Sequence, residues 1–434
     1  MLAAIGVSSF QDLMAPIPEP IQLKGLLNVP PALDEASLVR HLGSIAAKNA
    51  DLESHLSFLG AGIYDHFRPT VVGMLAVRGE FATSYTPYQP EVSQGMLQAV
   101  YEYQTFICAL TNMDLSNASM YDVATGLAEA ALMSADISDR PEIVVSQAVH
   151  PHYRQVIATY LHATGYRMTE IPLVNGSTDV EQLSRLVSDQ TACVILQHPN
   201  FFGCLEDVEA AVEITHRVGA QSVLCVDPIS LALLKPPGDY DVDIVVGEGQ
   251  SLGNPMGFGG PLLGFFACKK KFIRNFPGRI VGATVDARGR RGYTMTLRTR
   301  EQDIRREKAT SNICTNQALL ALCATIYLSD VGKQGLIQIA DACLQKARYA
   351  QSELAKLPGV SVPFASTATF KEFVVTLPVS PKAVNKALLS DKIIGGLPLG
   401  DYYPSLENGS LVCVTETKTK ADIDRYVTAI QEAI

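Results

Sequence analysis

Charge is scarce in this sequence. Of its 434 residues 18% are charged, below the usual quarter, while 47% are hydrophobic. Such a balance argues against a predominantly disordered chain. Basic residues are the scarcer sign. The net charge is −9, so the broad basic face that releases counterions from nucleic acid is not expected. Only Arg288 to Arg306 forms a local basic stretch. No apolar run reaches ~18 residues, so no transmembrane helix is expected. The opening "MLAAIGVSSFQDLMAP" lacks a basic n-region and a sustained apolar core. The expectation is a chain without a signal peptide, working in the cytoplasm. The nine cysteines include no CxxC pair. They read as reduced, buried thiols, not as a disulfide frame or a zinc site, and no metal centre is expected.

A chain of this length suits one large and one small domain. Residues 1 to about 75 read as helical and irregular, with "PALDEASLVRHLGSIAAKNA" the clearest helix. The loop "TSYTPYQPEVSQG" follows, and "SQGMLQAVYEYQTFICALT" restores a helical period with Ser93 as a plausible cap. From about 115 to 270, the β-rich runs "EIVVS", "RMTEIPLV", "ACVILQ", "SVLCVD" and "DIVVGE" alternate with helical stretches such as "DVEAAVEITHRVGA". Continuous apolar strands separated by helices imply a mainly parallel sheet covered on both faces. Beyond about 330 the pattern becomes a long helix, the strands "KEFVVTLP" and "SLVCVTE", and a closing helix. The expected division is an N-terminal helical segment and loop (1–90), a large α/β domain (91–325) and a small C-terminal α+β domain (326–434).

In such a sheet ligands sit beyond the carboxyl ends of the strands. Asp227 ends an apolar strand, where a carboxylate can meet the pyridinium nitrogen of a cofactor; a turn or helix cap before Pro228 is the ordinary reading. His150 and His152 follow another strand, where a ring can stack on a cofactor or simply belong to a polar loop. His198 and Asn200 end a third. "NASMYDVATGLAEAALMS" leads small residues into a helix whose first N–H groups suit a phosphate, or it serves only close helix–sheet packing. The glycine-rich loop "GEGQSLGNPMGFGGP" (247–261) has an active-site shape but no lysine, histidine or cysteine; Glu248 is its one acid. Together these loops describe the large domain of a fold-type-I pyridoxal-phosphate enzyme, with Gln250 or a neighbour where the imine lysine belongs.

"SYTPYQPEVSQGMLQAVYEYQTFICALT", "NASMYD", "AEAALM", "GEGQSLGNPMGFGGP" and "IRREKATSNICTNQALLA" resemble the N-terminal half of glycine decarboxylase, the P-protein family of the glycine cleavage system. Split systems carry that half as a separate α chain. The resemblance implies a complex that decarboxylates glycine and transfers the aminomethyl group to the lipoyl arm of an H-protein. It implies pyridoxal 5′-phosphate on a lysine of a β subunit, an α2β2 assembly, and no covalent cofactor on this chain. By the same resemblance Asp227, Gln250 and His150 are remnants of a cofactor site, with Val123 crowding the phosphate turn. No residue of this chain stands out as catalytic in itself. The candidates for completing the β active site are Tyr85, Thr86, Tyr88, Gln89 and Glu91, or else this loop packs only on its own domain. Arg298, Arg300, Arg305 and Arg306 could meet an acidic H-protein or form an ordinary charged face. Two other readings stay open: a purely structural partner of the β subunit, and a free-standing pyridoxal-phosphate enzyme using Lys235 or Lys308.

Overall fold

A computed structural model describes residues 1–313 and 315–434; Cys314, one of the nine thiols, lies outside the described residues. The chain divides into two units, Met1–Asp51 and Leu52–Ile434. The first contains one substantial helix, α1 (Glu35–Ala46), whose Asp34 cap accepts the Ser37 N–H at 2.9 Å. None of its residues is buried.

The second unit is built on a seven-stranded sheet. Its strands are β1 (Leu115–Ser116), β2 (Glu142–Ser146), β3 (Arg167–Ile171), β4 (Thr191–His198), β5 (Gln221–Val226), β6 (Ile244–Glu248) and β7 (Gly264–Cys268). Their order is β1-β7-β6-β5-β4-β2-β3. The pairs from β3 through β6 are parallel, and β7 is antiparallel to β6 and β1. Four of the five runs named from the sequence fall on β2, β4, β5 and β6. "RMTEIPLV" is broken: β3 ends at Ile171, and Leu173–Val174 turns into a small hairpin with Ser177–Thr178. The central strands are buried on both faces, which is why they read as continuous apolar runs.

Helices α2 (Gln94–Thr111), α3 (Val123–Ser138), α4 (Pro151–Leu161) and α5 (Val208–Arg217) accompany this sheet. In α3 the Asp122 carboxylate caps the Thr125 N–H at 2.7 Å. A Cβ on Gly126 would stand 2.7 Å from a Val246 methyl, so small residues let α3 lie close on β6. Ser93 precedes α2, but its side chain makes no capping hydrogen bond.

The chain then forms a two-stranded arm, β8 (Ile280–Val285) with β9 (Arg291–Thr296), which the sequence reading does not anticipate. Helix α6 (Ala318–Leu354) is interrupted at Gly332, whose φ of 58° is left-handed. The C-terminal sheet has β10 (Glu372–Thr376) and β11 (Leu397–Pro398) on either side of β12 (Gly409–Cys413), all antiparallel. Helices α7 (Pro381–Ser390) and α8 (Lys420–Ala433), with the end of α6, share its core, in which Phe58 stacks on Tyr426 at 3.9 Å. Among the described residues, no helix is long and apolar enough to cross a membrane. The eight described cysteines are free, and all but Cys108 are buried.

Candidate functional site

The order of strands reverses between β2 and β4, and the carboxyl ends of β2, β4, β5 and β6 open on one cleft. That is the position expected of a ligand site. The segment following Phe58 crosses the cleft. Ala61 and Gly62 take left-handed angles (φ 60° and 97°), and a Cβ on Gly62 would stand 2.5 Å from the Tyr153 hydroxyl. This turn delivers Tyr64 and His66, two residues that the sequence reading did not single out.

Asp227 lies where the sequence places it, just past β5. Its Oδ1 accepts the Ile229 N–H at 2.9 Å, as a turn-forming aspartate does. Its Oδ2 meets the Lys371 Nζ at 2.6 Å. Lys371 is 2% exposed and immediately precedes β10. Its ammonium stands 3.4 Å from the centre of the Tyr64 ring and 3.0 Å from His66 Nε2. Burial works against this charge, but the Asp227 carboxylate outweighs it and raises the lysine's pKa above its ordinary value. The neighbouring Glu372 carboxyl, pushed up to about 7 by burial, accepts the Ala61 N–H and the Tyr64 hydroxyl.

The network continues. The ammonium can only donate, so His66 Nε2 accepts and Nδ1–H donates to Glu416 Oε2 at 2.7 Å. Burial opposes the Glu416 charge, yet the hydrogen bond from His66 holds this carboxyl down to about 2. His66, Glu416 and Cys343 bring three ligand-type atoms within 4.8 Å of one another. The Lys371 ammonium beside the imidazole opposes a metal cation there.

Gln250 is 1% exposed and lies in the turn after β6. Its carboxamide donates to the carbonyls of Tyr64 and Asn254 and accepts the Tyr64 N–H at 2.9 Å. Every polar atom is thus used to fix the segment that crosses the cleft. Glu248 answers for the loop's shape. Its carboxylate accepts the backbone N–H of Leu263 (2.7 Å), Gln250 (3.1 Å) and Val123 (3.3 Å), the last being the first residue of α3. Burial pushes this carboxyl up to about 8, against three amides that favour its charge. His150 stacks on Tyr153, with ring centres 4.4 Å apart. Its Nε2–H donates to Ala61 O, its Nδ1 accepts the His152 N–H, and burial lowers its pKa to about 4. The His198 ring accepts the Glu206 N–H, and Asn200 binds Glu206 and the turn that follows it.

The loop Ser84–Gly95 stands apart from the residues lining this cleft. Tyr85 is 88% exposed. Tyr88 lies between the guanidinium groups of Arg279 and Arg298, 5.3 and 5.0 Å from its ring centre, and its hydroxyl accepts from Arg279 at 2.8 Å. Gln89 and Glu91 are exposed, Thr86 is half-buried. Glu91 and Gln94 border an open groove of about 750 Å3 against the β8–β9 arm, and Gln94 binds both backbone groups of Tyr293. Arg300 is buried on backbone carbonyls, among them Gly278 O, and Arg298 pairs with Asp303. Arg305 and Arg306 are exposed. Lys235 covers the Tyr240 ring and does not line the cleft, nor does Lys308.

Pyridoxal phosphate does not fit this cleft. Its ring nitrogen would need Asp227, which Lys371 holds. Its phosphate would need the N-terminus of α3, where Glu248 takes the Val123 N–H and Asp122 the Thr125 N–H. The remaining cavity, lined by Tyr64, Val123, Tyr153, Asp227, Glu248 and Lys371 among others, has about 30 Å3. That is room for a water molecule or two, against roughly 300–1,000 Å3 for pockets that take drug-sized ligands.

The model of the family "Glycine cleavage system P-protein" matches residues 1–430. A probable glycine dehydrogenase (decarboxylating) subunit 1 from Desulfitobacterium hafniense is 52% identical over 432 residues, covering 100% of this chain and 97% of the relative. Its counterpart from Moorella thermoacetica is 49% identical, covering 99% and 96%. The crystal structure of an inhibitor-bound glycine decarboxylase (P-protein) of the glycine cleavage system superposes with a TM-score of 0.93 at 44% identity, covering 100% of this chain and 97% of that one. A sphingosine-1-phosphate lyase from Burkholderia pseudomallei (TM-score 0.68, 16% identity, 96% and 94% covered) shares the fold alone. The architecture is therefore the α/β fold of type-I pyridoxal-phosphate enzymes. Likeness that runs the whole length of both chains is not a borrowed motif, and this chain belongs to the glycine cleavage system P-protein family.

Proposed function

We propose that this chain is the α subunit of a glycine dehydrogenase (decarboxylating), the subunit without the cofactor-binding lysine. It acts in a cytoplasmic α2β2 assembly with a β subunit that carries pyridoxal 5′-phosphate on its own lysine. The assembly decarboxylates glycine and passes the aminomethyl group to the lipoylated H-protein. The observation that carries this reading is a cofactor-type cleft whose charged positions are taken by Lys371 and Glu248 and whose loop presents Gln250 in place of an amine. The names of the relatives, "subunit 1", support a second subunit. So does the segment Met1–Asp51, in which Ile21, Leu26 and Val29 are 73%, 97% and 65% exposed. Apolar side chains gathered at such exposure favour a protein partner.

Two outcomes follow for the isolated chain. It shows no glycine decarboxylation, and borohydride reduction in the presence of pyridoxal phosphate leaves no stoichiometric pyridoxyl group on any of its lysines by mass analysis. A stable adduct would revive the free-standing enzyme. Co-expressed with the lysine-bearing chain, it forms one species near twice the α plus β mass by light scattering, and this species exchanges the glycine carboxyl with bicarbonate. Two non-interacting chains would refute the assembly.

The exposed loop Ser84–Gly95 is the proposed contribution of this chain to the partner's site. Pro87 and Pro90 restrict the backbone, so the loop loses less entropy on docking. Tyr88 offers a half-apolar wall with a hydroxyl already oriented by Arg279. In the complex, Tyr88→Phe leaves assembly intact and lowers carboxyl exchange by a factor on the order of 10–1,000, the range for one useful polar contact to a transition state. Full exchange in both Tyr88→Phe and Glu91→Gln complexes would favour a purely structural partner instead.

A further inference from the structure

Two charged side chains of the cleft have no part in the proposed reaction, and both sit at positions where a pyridoxal-phosphate site needs a charge. A pyridinium N–H meets an aspartate; here the Lys371 Nζ is 2.6 Å from Asp227 Oδ2. A phosphate meets free backbone N–H groups at a helix N-terminus; here Glu248 takes the Val123 N–H, with those of Gln250 and Leu263. We propose that this chain is the ligand of its own cleft: the Lys371 ammonium replaces a pyridinium N–H on Asp227, and the Glu248 carboxylate replaces a phosphate on α3.

Three features carry the substitution. Both groups border the same residual cavity of about 30 Å3. When ionised, each has the sign of the group it replaces; for Glu248, pushed up to about 8 by burial, that holds in alkaline solution, and at neutral pH the carboxyl fills the same place mainly in its protonated form. Each is buried, at 2% and 8% exposure, so neither charge is an accident of a solvated surface. The Tyr64 ring completes the set, lying flat beneath the ammonium inside the cleft. A cleft emptied of a charged ligand leaves a lone aspartate and a set of unpaired amides, both costly when buried. Internal charges satisfy both without any ligand. They also bind parts of the fold together: Lys371 ties the start of the C-terminal sheet to β5, and Glu248 ties the glycine-rich loop to α3. The cleft is thereby held shut as a fixed strut, and it does not exchange with pyridine phosphate esters.

The inference rests on the cleft having descended from a cofactor site, and its test does not depend on decarboxylation. Equilibrium dialysis is run at about pH 9, where Glu248 is ionised despite its burial. The probe is pyridoxine 5′-phosphate, which has no aldehyde and cannot be trapped by surface lysines. Where the chain is obtained only with its partner, borohydride first fixes the partner's cofactor. The wild-type chain binds none of the probe. Glu248→Ala/Lys371→Ala, which vacates both positions, binds roughly one per chain and is stabilised by it, as any ligand specific to the folded state must do. Stoichiometric binding to the wild type overturns the proposal, as does a folded double variant that binds none. If the double variant does not fold, Glu248→Ala alone is melted with formate and with inorganic phosphate. The proposal expects these anions to raise its midpoint by several degrees more than that of the wild type, and equal shifts overturn it.

Discussion

Lys371→Met destabilises the protein by about 3–5 kcal/mol, the range for removing one partner of a buried ion pair. The lysine is 2% exposed and the Asp227 side chain 10%. Truncation leaves that carboxylate with the Ile229 N–H as its remaining hydrogen bond. It also removes the donor to His66 Nε2 and the cation on the Tyr64 ring. The thermal midpoint falls by roughly 3–5 °C, about one degree per kcal/mol for a chain of this length. Asp227→Asn added to Lys371→Met restores much of the loss, because a neutral amide can keep the Ile229 contact without an unpaired charge. Urea melts of the two single variants and the double measure this coupling. A cost below about 1 kcal/mol for Lys371→Met would mean that the pair is not buried as described.

Gln250→Lys puts an amine into the glycine-rich loop, where the cofactor enzymes need one. It yields no stoichiometric borohydride-stable pyridoxyl adduct at that position, because Lys371 and Glu248 still hold the two anchoring points. It also destabilises the protein by roughly 2–4 kcal/mol, the cost of a buried charge and an orphaned donor. The carboxamide is 1% exposed and accepts the Tyr64 N–H while donating to two carbonyls. An ammonium donates only, so the Tyr64 N–H loses its acceptor. Mass analysis after reduction reads the first effect and thermal melting the second. An adduct at position 250 in good yield would show that the cleft opens readily, against the self-filled arrangement.

Much of the sheet was legible because its strands are buried on both faces. "EIVVS", "ACVILQ", "SVLCVD" and "DIVVGE" are continuous apolar runs that can hardly be anything else between amphipathic helices, and they became β2, β4, β5 and β6. The β8–β9 arm was not legible. Beyond Val281 its residues are exposed or only half-buried, so burial imposes no continuous apolar pattern on them. Strand ends were legible as positions: Asp227, His150 and the loop at Gln250 all face the cleft region the alternation implies.

What the sequence by itself determined is therefore local and periodic. It comprises the elements of a covered parallel sheet, the residues at the ends of its strands, the missing amine in the glycine-rich loop, and phrases long enough to reveal the family. Tertiary structure alone decided what fills the cleft. Lys371 and Glu372 stand side by side in sequence as an ordinary solvated pair, and nothing local says that both are buried. Their partners Asp227 and Tyr64 lie well over a hundred residues away, as His66 does from Glu416. A buried charge is tolerable only beside its counter-charge, so its position is set by the meeting of distant segments and leaves no periodic trace in any one of them.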